Sequence, residues 1–496
     1  MSPRPHCFLP ALALAMMGGL LASCSGNDDR PVEVLAIGPK TATYAEGAAL
    51  PLGAQLYRAA TAEGLVGFDE QGRVVPALAD RWIIYDGGLS FIFRLRDGQW
   101  PDGSQITAES ARGALVQAIA AQRGTALGLD LAPIAEVRAM AGRVIEIRLS
   151  QQAPDLLQLL AQPELGLRRA GRGGGPMKLL ESTRKEGIAV LRPISPQDRG
   201  LAQDEKWGER VRRLRLGSLP ATLAIDMFNR GDADLVLGGQ LEDFPRLDAK
   251  GVSRGAIRLD PVGGLFGLAV VETQGFLSLP ENREALALAL DREALAAVLN
   301  IAGWTTTTRV INPGLAGDDG TVSERWPGLA IHERRARAAA RVAQWTAGNG
   351  PIRPLRIALP AGPGSDLLFA RISEDFQAIG LATRQVGANA PADLRLVDRV
   401  ASYARAPWFL NQLSCAALRG PCSASADRFA SLARAELDPA KRAGLLSEAE
   451  AELTKANVYI PLGVPIRWSL VAGSVTGFAT NRLGAHPLMP LAIRPR

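Results

Sequence analysis

Hydrophobic positions recur with two periods along this chain, and the switches between them lay out its elements. Leu89, Phe91, Phe93 and Leu95 alternate with Ser90, Ile92 and Arg94, the period of a half-buried strand. Asp86-Gly87-Gly88 is a turn joining that run to Trp82-Ile83-Ile84-Tyr85, which predicts a hairpin. Thr107 is placed as an N-cap, with Glu109 in the first turn of the helix that follows. A first strand is expected at 32–37 and another at 143–149, before a helix at 154–160 with Pro in its first turn. Residues 211–216 and 234–237 read as strands around a helix at 220–230, with Gly231 as its stop.

The second half repeats this style. An apolar strand at 263–271 precedes one long helix at 281–299. A strand at 355–359, a helix at 365–379 with Ser365 as N-cap and Gly380 as stop, and a strand at 381–386 follow. Asp438-Pro439 opens a helix ending near Asn457, and 459–470 is extended and punctuated by Pro. Strand–helix–strand alternation implies an α/β layer with a partly parallel sheet. With 496 residues, two or three lobes are expected at ~100–200 residues each.

Pro76-Ala77-Leu78-Ala79, Trp82, Leu89, Phe93, Leu95-Arg96, Asp102-Gly103, Thr107-Ala108 and Glu109 together resemble the signature region of family 5 extracellular solute-binding proteins. Those are dipeptide, oligopeptide and nickel receptors of ABC importers. The likeness continues in order through Gly173-Gly174-Gly175-Pro176, Gly231-Asp232-Ala233-Asp234, Arg283, Ala285, Ala289-Leu290-Asp291-Arg292 and Ile379-Gly380. It reaches Pro461-Leu462, Val475 and Gly477-Phe478 near the C-terminus.

The resemblance implies an α/β, bilobed periplasmic-binding-protein-like fold (type 2, the large peptide-receptor variety) with an extra small subdomain. Residues 31–50, 166–262 and 471–496 would form the core of lobe I, 51–165 its small subdomain and 263–470 lobe II. Two segments, 259–267 and 462–471, would cross between lobes, and closure about such hinges buries a ligand.

The N-terminus sets a compartment. Arg4, the apolar stretch 7–21 and Leu21-Ala22-Ser23-Cys24 resemble a lipoprotein signal peptide cleaved before Cys24, too short to span a bilayer. Residues 1–23 would leave, Cys24 would carry lipid, and 24–30 would be a tether holding the protein to a membrane on the periplasmic side. In that oxidising setting Cys415 and Cys422 suggest a short loop disulfide, with free thiols the alternative.

The net charge of +6 arises from 56 basic and 50 acidic side chains, and no basic run is interleaved with aromatics, which argues against nucleic-acid binding. Arg334, Arg335, Arg337 and Arg341 are expected on a solvated helix face. HExxH, G-x-S-x-G and CxxC patterns are missing, and only three His occur, so no enzyme class and no cofactor is indicated. Gly171-Arg172-Gly173-Gly174-Gly175 lacks the Lys-Ser/Thr of a phosphate loop.

Peptide receptors of the family pair the ligand's amino group with an Asp in an extended segment. The matching stretch here is 398–409, where Arg405-Ala406-Pro407 replaces the acidic residue before Pro. Asp398, Tyr403, Arg405 and Trp408 are therefore the expected ligand-binding residues, with Arg405 favouring a carboxylate or phosphate. The expected function is a monomeric, lipid-anchored receptor that gives a peptide or small solute to an ABC permease and ATPase. The alternative is a receptor-fold scaffold or sensor lipoprotein without transport.

Overall fold

The computed structural model describes residues 30–315 and 317–494; the expected signal peptide, Cys24 and residues 25–29 of the tether lie outside them. Within 31–494, a seven-stranded sheet runs in the order Ile257–Leu259, Trp468–Val471, Leu235–Gly239, Val32–Ile37, Leu214–Leu219, Ile188–Pro193, Met177–Thr183. Its centre is parallel, Val32–Ile37 pairing with both Leu214–Leu219 and Leu235–Gly239. Parallel strands buried on both faces need near-continuous apolar runs, and Leu35, Val34, Leu216, Leu235, Val236 and Leu237 supply them.

A second sheet of five strands is ordered Thr383–Gly387, Leu355–Leu359, Leu394–Val400, Gly264–Val270, Tyr459–Gly463. The chain passes between the two sheets twice. It leaves Ile257–Leu259 for Gly264–Val270, and returns from Tyr459–Gly463 to Trp468–Val471. These are the two crossings the resemblance placed at 259–267 and 462–471. At the first, Gly264 has φ +152°, and a Cβ there would stand 2.1 Å from the Arg399 carbonyl oxygen. At the second, an added Cβ on Gly239 would sit 2.0 Å from the Trp468 ring. Glycine is required at both for close backbone approach. The first crossing is fastened by Asp260, which accepts from Asn481 N at 2.9 Å and meets His486 Nε2 at 3.0 Å.

A four-stranded antiparallel sheet, Ala79–Tyr85, Ser90–Leu95, Val144–Leu149 and Ile134–Met140, forms a separate layer. The predicted hairpin is here, and Phe91, Phe93 and Leu95 face inward. Thr107 caps the helix Ala108–Ala121, accepting from Ser110 N, while Ser110 Oγ accepts from Thr107 N. The helix Leu52–Thr61 packs on strands of the seven-stranded sheet and on the turn Pro163–Leu165. Its apolar stripe, Gly53, Ala54, Leu56 and Ala60, is what drives that placement.

Three expectations need correction. The long helix at 281–299 is two, Pro280–Ala289 and Arg292–Leu299, because Asp291 leaves helical geometry and caps the second through Ala294 N at 3.0 Å. Ser365 is not a cap; Pro363 starts that helix at its first position and Ser365 is buried inside it. The Arg-rich face of Ile331–Asn349 is not simply solvated. Arg335 pairs with Asp375, and Arg341 donates to Asn282 Oδ1 at 2.6 Å, docking the helix on Pro280–Ala289.

Candidate functional site

The four-stranded layer with its adjoining segments 126–160 and the helices of 406–456 share one apolar cluster, which includes Leu131, Leu159, Tyr403, Trp408, Leu410 and Leu446. Between them lies a cavity of about 100 Å³. Leu129, Pro133, Leu159, Leu410 and Leu446 are among its apolar walls, and Asp130, Asp155, Arg405, Arg434 and Arg442 bring charge to it. Such a space holds ~3 water volumes at about 30 Å³ each, enough for one small functional group and a few carbons.

Local sequence rules explain how each side chain arrives. Asp130 ends the short helix Ala126–Asp130, started by Thr125, whose hydroxyl accepts from Gly128 N at 3.0 Å. The opposite wall is the helix Ala406–Gln412, with Pro407 in its first turn. Proline there has no N–H to give the Tyr403 carbonyl and its ring clashes with that group, so the helix cannot extend back, and Tyr403 and Arg405 sit in the non-helical link after strand Leu394–Val400. The stretch 398–409, expected as one extended segment, is therefore strand, link and helix.

Cross-wall contacts converge on that link. Tyr403 OH and Asn411 Nδ2 each donate to Asp130 Oδ1 at 2.6 Å. Arg405 Nε stands 3.0 Å from Asp155 Oδ1. Gln162 Nε2 donates to the Ser402 carbonyl at 3.3 Å. Arg434, which also lines the cavity, donates from Nη1 to Asn411 Oδ1 at 3.2 Å.

Electrostatics at the cavity are unusual. Asp130 is 7% exposed, and its Oδ2 is buried without a hydrogen-bond partner. Burial pushes its carboxyl up to about 7, although the Tyr403 and Asn411 hydrogen bonds pull the other way. Burial also raises Asp155, with Arg405 opposing. The Tyr403 phenol is pushed well up, by burial first and by Asp130 next.

Of the four residues expected to bind ligand, Tyr403 and Arg405 line this cavity. Asp398 lies elsewhere, on the five-stranded sheet at the crossings, where Arg467 Nη1 donates to its Oδ1 at 2.8 Å. Burial raises its carboxyl despite that partner. Glu242 nearby is pushed up to about 7, by burial first and also by Asp398. Trp408 is 2% exposed and packs edge-on against Phe409, with ring centroids 5.0 Å apart. Asp130, Asp155, Asn411 and Arg434 carry no sequence signal; Asp130, Asp155 and Asn411 gain their places from partners far away in the chain, and Arg434 from Asn411.

Cys415 and Cys422 are bridged, with Cα atoms 5.1 Å apart, just beyond the Ala406–Gln412 helix. Among the described residues no group of three or more His, Cys, Asp or Glu is arranged to hold a metal ion. No described helix is long and apolar enough to cross a membrane.

Comparisons with known proteins place these features. Residues 73–182 match the family described as bacterial extracellular solute-binding proteins, family 5 Middle. The "Probable deoxycholate-binding periplasmic protein" of Escherichia coli (strain K12) is 36% identical over 125 residues, covering 21% of this chain and 23% of that protein. The aligned part is thus under a quarter of that relative's length. Haemophilus influenzae OppA, solved in complex with RPPGFSPFR, superposes with TM-score 0.78 at 17% identity, covering 94% of this chain and 100% of that one. The Escherichia coli murein tripeptide binding protein MppA gives 0.77 at 18% identity over 94% and 98%. At those identities the likeness establishes the fold, that of the bilobed periplasmic receptors.

Proposed function

We propose, from the premise that the chain belongs to family 5 of the bacterial extracellular solute-binding proteins, that it captures a solute between lobes and hands it to an ABC permease. The observation that carries this reading is the family match at 73–182, set in a fold that follows OppA over 94% of the chain. The double crossing between sheets is the form of a hinge, and the 402–411 link meets the small subdomain across the cavity, where closure would clasp a ligand. The receptor works by binding and release, with no covalent step.

The solute is a peptide or another small molecule. What the relatives bind, by their names, spans a nonapeptide, a murein tripeptide and deoxycholate, so the family alone leaves the ligand open. The acylated Cys24 would hold the receptor on the periplasmic side of the envelope as a monomer. Asp398, expected from the family pattern to meet the ligand, is already held by Arg467; in this reading it positions the crossing, and the cavity residues Tyr403 and Arg405 face the solute.

Native mass spectrometry of gently purified protein tests the reading. A non-covalent solute that is released on denaturation supports it. A polypeptide that never carries one, together with a thermal-shift screen of peptides, organic acids and metal complexes in which nothing raises the melting point, overturns it.

A further inference from the structure

Three features of the cavity select among ligand chemistries. Asp130 lines the cavity, while its Oδ2 is buried beyond the reach of water and has no hydrogen-bond partner. Such an atom costs free energy until something meets it. Arg405, Arg434 and Arg442 line the space together with Asp130 and Asp155, so the fixed lining charge is positive, and Arg442 gives Nε and Nη2 to the Glu436 carbonyl. Each guanidinium has five N–H donors in a fixed fork. Arg405 meets Asp155 through Nε, and Arg434 gives one Nη1 hydrogen to Asn411, so both retain donors for a further acceptor. The acceptor capacity is smaller, since Asp130 Oδ1 already takes two hydrogen bonds and Asp155 is paired. The remaining walls are apolar.

We propose that this cavity is an organic-acid subsite, which takes the carboxylate and first few carbons of a solute between the small subdomain and the 403–411 segment. The inference rests on the receptor reading and names the ligand class of that site. The solute's carboxylate accepts from the free edges of Arg405 and Arg434. Its carbons lie against Leu129, Leu159 and Leu410. A volume of about 100 Å³ fits a four-carbon acid or the acidic end of a larger one.

Butyrate, butylamine and butyramide are probes of similar size that separate the possible charges, and isothermal titration of the full chain against each tests the assignment. Butyrate is expected to bind at millimolar concentration or tighter. The amine and amide are expected to bind at least tenfold more weakly. Arg434→Gln is expected to weaken butyrate about tenfold or more, the scale of a charge-assisted hydrogen bond, with unchanged circular dichroism. Wild-type discrimination among the three probes decides the matter even where that variant folds poorly. Butylamine binding in preference to butyrate overturns the assignment in favour of a cationic subsite. A protein that carries another solute in native mass spectrometry yet ignores all three probes also overturns it, while leaving the receptor reading in place. Failure of both the probes and every solute removes the assignment and the receptor reading together.

Discussion

Asp130→Asn isolates the buried carboxyl at the cavity. The amide keeps an oxygen for the Tyr403 and Asn411 hydrogen bonds and removes the ionisation. In the wild type the carboxyl rises from 3.8 to about 7 on folding, mainly through burial. A carboxyl with a raised folded pKa holds its proton more tightly in the folded state, so stability falls as pH rises from the unfolded value through about 7. Each unit is worth about 1.4 kcal/mol, and over the window from pH 5 to 8.5 the linkage relation gives about 2–3 kcal/mol lost by the wild type. The Asp130→Asn protein carries no such penalty, but the new amide nitrogen is left buried without an acceptor, a pH-independent cost of about 1–3 kcal/mol. Urea unfolding of both proteins at pH 5 and pH 8.5 separates the two effects. The stability of the variant relative to the wild type is expected to rise by about 2–3 kcal/mol between pH 5 and pH 8.5. Other raised carboxyls, Asp155, Glu242 and Asp398 among them, titrate in both proteins and cancel to first order. Equal pH dependence in the two, within about 0.5 kcal/mol, would refute the claim that burial of Asp130 resists its ionisation.

Gly239→Ala forces a methyl into the Trp468 ring, and is expected to cost about 1–3 kcal/mol or more in chemical denaturation, with quenched or shifted tryptophan emission. Arg467→Met leaves Asp398 buried with no counter-charge; a loss of about 3–5 kcal/mol is expected at pH 8. That loss should shrink toward pH 4, where the already raised Asp398 carboxyl takes up a proton. Reducing the Cys415–Cys422 bridge, which closes a loop with sequence separation 7, is expected to cost about 2 kcal/mol. Melting temperatures with and without reductant measure it, and an unchanged value counts against a stabilising bridge.

How much of the molecule is legible in its sequence follows from the range of the interactions involved. The hairpin at 82–95 and the Thr107 cap are local, set by alternation and by a side chain reaching three residues, and both stand where the pattern puts them. The 281–299 helix divides unannounced because apolar spacing continues through Leu286, Leu290 and Leu295, all buried, while the break depends on one capping side chain, Asp291. The strand Met177–Thr183 leaves no apolar pattern because it is an edge strand with mostly exposed, polar residues. The cavity lies furthest from view. Asp130 finds Tyr403 and Asn411 across 273 and 281 residues, and no pattern around Leu129-Asp130-Leu131 marks it. Tyr403 and Arg405 are reached through the family pattern. Trp408, taken from the same pattern, is core because Pro407 turns the chain into a helix there.

The receptor reading stands or falls with enclosure of a solute between the small subdomain and the 402–411 link. Hydrogen–deuterium exchange, on protein carrying its co-purified solute and on protein stripped of it by partial unfolding and refolding, tests this most directly. Slowed exchange on loading is expected at both walls together, in 126–160 and in 402–413, with little change in the outer strands Met177–Thr183 and Ile188–Pro193. Protection confined to one wall, or exchange that is identical with and without solute, would contradict it.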